Sequence, residues 1–144
     1  EVKSYISNDY WGHDVEDNAF ALMRDKHNRV AMLHSSATQW HHKFSLEVGL
    51  TEGILELQGI LSGSKSYGEE KLIITKKSNL NNGSLESRTM RFLEDNSWKD
   101  EIDEFAEAII SDKPIKYGTS NDALKTMQLV YTIYYADQEW AIKL

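Results

Sequence analysis

The residues best equipped for chemistry in this chain are its five histidines, with a few carboxylates and loop aromatics beside them. His13 stands next to Asp14, with Asp17 nearby; an imidazole and two carboxylates could ligate a metal only if their loop folded back on itself, and otherwise act as solvated or supporting groups. His41 and His42 are adjacent, so on a strand they would point to opposite faces and could not chelate one ion together. No metal site is therefore assigned. His34 falls in mid-strand, where it either packs as a hydrogen-bonded structural residue or faces a ligand. Trp11, Trp40 and Tyr67 sit in loops or at strand ends, where a ring face could stack on a sugar or be buried against a partner domain. Tyr131, Tyr134 and Tyr135 recur at helical spacing and read as core and interface. The substrate-side candidates are thus Trp11, His13, His34, Trp40 and Tyr67, and no residue is assigned to catalysis or cofactor binding.

What is missing narrows the chemistry further. Without cysteine there is no disulfide framework, thiolate zinc site or cysteine nucleophile. The eight glycines form no G-x-G-x-x-G after a strand and no Walker loop, and no G-x-S-x-G elbow occurs. A net charge of −7 argues against a nucleic-acid partner, which would need a basic footprint. No run approaches the ~18 apolar residues of a membrane span, and no signal peptide is visible. With 144 residues, 40% of them hydrophobic, the chain has enough apolar material for one domain, 1–144, with a core of its own. Val2–Ile6 already reads as strand, so the chain is expected to be a piece of a longer one, with a processed mature protein as the alternative.

The elements that must position these residues come in two groups. Phe44, Leu46, Val48 and Leu50 alternate with Ser45, Glu47 and Gly49, the period of a half-buried strand. Thr51-Glu52-Gly53 breaks the run, with Gly53 expected at positive φ, and residues 54–58 return as the second arm of a hairpin. Further strands of the same sheet are read at 2–9, 18–24, 30–38, 71–77 and 88–93. Strand 18–24 is apolar on both faces and so belongs in the middle of the sheet. Asn28 is the natural left-handed residue of the 25–29 loop. The stretches 62–68 and 78–84 read as a flexible turn and an exposed loop.

The pattern then changes period. Trp98, Ile102, Phe105, Ala106, Ile109 and Ile110 recur at three and four, with Ser97 read as N-cap, Asp100 at N3 and an acidic solvated face. Pro114 follows that helix. Thr119 or Ser120 caps a second helix through about Ala136, with Leu124, Met127, Tyr131 and Tyr134 as its stripe. Strands first and helices after them give an α+β fold: an open, largely antiparallel (mixed) β-sheet with two C-terminal helices packed on one face. The other face then lacks a cover and is expected to meet another subunit or domain.

Five strings, in order, resemble the C-terminal domain of the Gfo/Idh/MocA oxidoreductases. They are Asp14-Val15-Glu16-Asp17-Asn18-Ala19-Phe20-Ala21-Leu22, Leu33-His34-Ser35-Ser36-Ala37-Thr38-Gln39-Trp40, the hairpin from Phe44 to Gly53, Tyr67-Gly68-Glu69-Glu70, and Ser97-Trp98-Lys99-Asp100-Glu101. The resemblance covers nearly the whole chain and points toward members acting on sugars or nucleotide sugars. It implies a two-domain enzyme, in which an N-terminal Rossmann domain binds NAD or NADP and this domain walls the substrate and carries homo-oligomer contacts through its sheet; the absence of cysteine separately fits a cytoplasmic location. The family's Glu-Lys-Pro motif is not found here, since Lys113-Pro114 is preceded by Asp112 at a helix end; the resemblance places its Asp-x-x-x-His motif just before the region where this chain begins, although Asp9-Tyr10-Trp11-Gly12-His13 has that spacing. No cofactor site is therefore expected in this chain itself. Where the family pattern has a phenylalanine, Gly49-Leu50 stands; Asn28 replaces a common glycine; and Ala37 replaces a tryptophan, which leaves Trp40 as the aromatic candidate there. A stand-alone protein-binding or oligomerisation module using the sheet face is the alternative.

Overall fold

The computed structural model describes residues 1–62, 66–78 and 83–144. Among these residues seven strands precede three helices, in an α+β arrangement whose strand pairings are all antiparallel. The strands form two ladders where one sheet was expected. Strands β1 (Val2–Ser7), β2 (Asn18–Arg24) and β3 (Val30–Ser36) make one; β4 (Ser45–Leu50), β5 (Gly53–Gln58), β6 (Glu70–Lys77) and β7 (Leu85–Phe92) make the other. The chain divides into two compact units accordingly, Glu1–Thr38 with Ala108–Leu144, and Gln39–Glu107. The loop expectations at 63–65 and 79–82 lie outside the described residues. Among the described residues no helix is long and apolar enough to cross a membrane.

In the first unit β2 is central, as its two apolar faces require. The β2–β3 loop turns on Asn28 at φ 62°, and Asp25 Oδ1 accepts the N–H groups of His27 and Arg29 at 2.8 and 2.9 Å. One sheet face carries Ser4, Ala19 and Ala21, all buried. Helix α2 (Ser120–Ala136) packs beside β1 and buries Ile133. Ser4 Oγ donates to the Ile133 carbonyl at 2.5 Å. Thr119 is the cap: it accepts from the Asp122 N–H at 3.2 Å while its own N–H reaches Asp122 Oδ2 at 3.2 Å, a complete capping box.

A short helix, α3 (Gln138–Ala141), was not anticipated. It starts at Asp137, whose Oδ1 accepts from the Glu139 and Trp140 N–H groups and whose Oδ2 accepts from the Ile6 N–H at 2.7 Å. Burial pushes this carboxyl up, but the three N–H groups and the Lys143 ammonium outweigh it, and its pKa lies below the ordinary value.

In the second unit the ladder order is β4-β5-β6-β7. Directly opposed residues share a face. One face therefore holds the row Leu46, Leu57, Leu72 and Met90, then the row Val48, Leu55, Ile74 and Arg88. The other holds Ser45, Gln58, Lys71 and Arg91, then Glu47, Glu56, Ile73 and Thr89. The first is mostly apolar, the second mostly polar, and no residue of these four strands is fully buried. Strand β7 starts three residues earlier than the 88–93 expectation.

Two expectations of local geometry are corrected. Gly53 is not at positive φ but is the first residue of β5, and a Cβ there would stand 2.1 Å from the Thr75 carbonyl oxygen; close approach of strands, not turn conformation, requires glycine. Ser97 is not the cap of α1 (Ser97–Ile110) but its first residue. Its hydroxyl and N–H both donate to Asp95 Oδ1, and the Asp100 N–H is taken by the Asn96 carbonyl. The α1 stripe of Trp98, Ile102, Phe105 and Ile109 is exposed, and only Ala108 is buried.

Two predictions follow from this geometry. Gly53→Ala must separate β5 from β6 and is expected to cost roughly 1–3 kcal/mol in urea unfolding; an unchanged midpoint would contradict it. Because the Asp137 pKa is lowered on folding, its contribution is fully present above the ordinary carboxylate pKa and lost as pH falls through the folded value. Asp137→Asn should therefore be less stable at pH 7 and show a shallower loss of stability between pH 5 and about 2 than the parent chain; parallel curves would contradict the assignment.

Candidate functional site

The candidate residues divide between the two units. Trp11, His13 and His34 belong to the first, Trp40 and Tyr67 to the second. Trp40 is 98% exposed. Tyr67 stacks on His42, with ring centroids 4.8 Å apart, and the His42 Nδ1 meets the Ser66 hydroxyl. A hydroxyl beside an imidazole is the first half of a nucleophile–base set. Among the described residues no carboxylate bonds this imidazole to complete it.

In the first unit the organising group is Asp17, which only 3% of its surface exposes. Its Oδ2 accepts the N–H groups of Tyr10 and Trp11 at 2.7 and 3.2 Å. Its backbone joins both neighbouring strands: its N–H donates to the Ser7 carbonyl and its carbonyl accepts from the Ala37 N–H, each at 2.7 Å. Asp17 thus shapes the loop that presents Trp11. The indole Nε1 donates to the Ala37 carbonyl at 3.2 Å, and Tyr10 packs edge-on against the ring. His13 is exposed, and its carbonyl accepts from Asn8 Nδ2 at 2.9 Å. Among the described residues no three metal-ligating side chains converge.

His34 lies on the sheet face away from Ser4 and Ala21. It opposes Phe20 across the ladder, and the rings stack at 4.2 Å with planes 14° apart. Both rings are exposed, so the stack belongs to the surface and not to the core. The next row of that face is polar. Asn18 Oδ1 accepts from Ser36 Oγ at 2.6 Å and from Thr38 Oγ1 at 3.1 Å, and the two hydroxyls lie 3.2 Å apart. Sequence reasoning did not single out Phe20, Asn18, Ser36 or Thr38. A signal was present: a five-residue loop at 25–29 sets Arg24 against Val30, and the same register puts 20 against 34 and 18 against 36.

At the far end of the same face lies a shallow depression of about 200 Å³, lined by Glu1, Lys3, Leu22, Met23, Arg24 and Val30. It is smaller than the roughly 300–1,000 Å³ of small-molecule pockets. The tyrosine cluster is structural in character. Burial first, then the hydrogen bond and charge of Glu16, push the Tyr134 phenol up to about 12, so it stays protonated at neutral pH. Tyr131 and Trp140 pack around it at 6.1 and 6.2 Å.

No protein family, curated protein or solved structure matches this chain.

The role given to Asp17 has a direct consequence. Asp17→Ala leaves two backbone N–H groups without their acceptor and is expected to cost about 1–3 kcal/mol. It should also speed amide exchange at Tyr10 and Trp11 far more than at β2. Uniform acceleration across the unit would contradict a local role.

Proposed function

We propose that this chain is the substrate-side and oligomerisation domain of an NAD(P)-dependent sugar or nucleotide-sugar dehydrogenase. A Rossmann domain elsewhere in the same polypeptide supplies NAD or NADP and the hydride-transfer residues. The hydride passes between a carbinol carbon of the sugar and the nicotinamide, and this domain contributes shape, polar contacts and subunit contacts. The five strings that resemble the Gfo/Idh/MocA C-terminal domain support the dehydrogenase part of the reading.

The observation that carries the assembly part is the apolar face of β4–β7. Nine apolar side chains, Leu46, Val48, Leu50, Leu55, Leu57, Leu72, Ile74, Met90 and Phe92, share it with the charged Glu70, Lys76, Glu86 and Arg88, and among the described residues no helix makes extensive contact with these strands. An apolar patch of more than a few hundred Å² marks an interaction surface. Burying it returns about 25 cal/mol per Å², and a second copy of the chain is the proposed cover. A cytoplasmic location fits a cysteine-free chain and a nicotinamide-linked reaction.

The same face favours a second reading, a stand-alone protein-binding or oligomerisation module. A coding sequence upstream and in frame that specifies G-x-G-x-x-G and Glu-Lys-Pro distinguishes the enzyme from the module. On the first reading, this chain alone gives no saturable heat with NADH or NADPH in titration calorimetry and no dehydrogenase activity. Saturable binding of either nucleotide would overturn the division of labour.

A further inference from the structure

We infer that the Trp11-proximal end of the open β1–β3 face is a binding site for the hydroxyl groups of a neutral sugar, formed by Asn18, Ser36 and Thr38 with His34 held by Phe20. The inference deepens the substrate-side reading above and rests on it.

The hydrogen-bond polarity of the cluster selects the ligand. Ser36 and Thr38 both spend their protons on Asn18 Oδ1. The Thr38 oxygen then has lone pairs left to accept, and the Ser36 oxygen, which already accepts from the Thr38 N–H at 3.2 Å, has one. The amide Nδ2 of Asn18 makes no bond among the described residues and has two N–H groups left to donate. A group presenting both acceptors and donors at close range fits a ligand hydroxyl, which is itself both. A phosphate or carboxylate accepts only, and would meet the oxygen lone pairs of Ser36 and Thr38 with no lysine or arginine in this row or in the Tyr5–Phe20–His34 row beside it. The three polar side chains are half-buried, so part of their hydration is already removed while their outer surface stays open.

His34 stands two residues along β3 from Ser36, about 7 Å away on the same face. That is within the span of one pyranose ring. Its imidazole is bonded to no protein group among the described residues; the Phe20 stack covers one ring face, restricts rotation about χ2 and leaves both nitrogens to meet a ligand. Phe20 acts here as a positioning residue. Trp11, fixed to Ala37 between Ser36 and Thr38, borders the same end of β3.

The test is a two-dimensional amide NMR titration of the intact chain with methyl α-D-glucopyranoside, and in parallel with inorganic phosphate. The sugar is expected to shift the amides of Asn18, His34, Ser36 and Thr38, with weak affinity, and phosphate is expected to leave them unchanged. Thr38→Val keeps the side-chain shape and removes the acceptor; it should weaken the sugar response at least threefold while the circular dichroism stays native. Phe20→Leu should weaken it with the Asn18 and Ser36 shifts kept and the His34 shift lost. No sugar response, a response centred on other residues, or an equal response to phosphate would overturn the site. These outcomes are separate from the assembly reading, which is decided by oligomeric mass.

Discussion

One carboxylate ties the two ends of the first unit together. Asp137 accepts from the Ile6 N–H of an edge strand and from two N–H groups at the start of α3, and so ties β1 to helices that lie 131 residues away in sequence. With the Ser4 to Ile133 hydrogen bond four residues earlier on α2, it sets where the helix sits on the sheet. The arrangement leaves β1 capped on its outer edge, Ala19 and Ala21 covered, and the opposite face of the sheet open. Everything argued for His34, Phe20 and Asn18 depends on that choice of face. A helix on the other side would bury them and expose the alanines.

The second unit obeys a different constraint, the parity of an antiparallel ladder. A register shift of one residue would scatter the apolar side chains over both faces. The register observed collects nine of them on one face and places Ser45, Glu47, Glu56, Gln58, Lys71, Thr89 and Arg91 on the other. Gly53 is the point where this register is enforced, because no larger residue fits against Thr75. An apolar majority on one face, with charges confined to Glu70, Lys76, Glu86 and Arg88, suits a surface that meets another apolar surface.

Much of the fold was legible in the sequence because short-range periodicity determines it. The alternation from Phe44 to Leu50, the Asn28 turn and the Thr119 cap each rest on local chemistry, and each is where the residues put it. The separation into two ladders was not legible, because which strand edges pair is a long-range outcome that alternation does not encode. Nor was the part of Asp137, whose partner is Ile6; a lone aspartate after a helix looks like any other. Ser97 misled because serine before an apolar periodic run is a cap signature, yet Asp95 accepts its protons and the helix begins one residue sooner. Of the candidate site, Trp11 and His34 were visible as aromatic and titratable residues. The Asn18–Ser36–Thr38 network was hidden, since small polar residues on a strand carry no distinctive signal until the register sets them side by side.

Cover of the apolar face of β4–β7 by a second copy of this chain is the proposal on which the assembly reading stands. Light scattering across a concentration series measures it most directly, comparing the parent chain with Leu57→Lys, which places a charge in the middle of the face. The account predicts a mass of twice 16.6 kDa or a higher multiple for the parent and a shift to monomer for the variant. A parent chain that stays monomeric at every concentration, or an oligomer unmoved by Leu57→Lys, would contradict it.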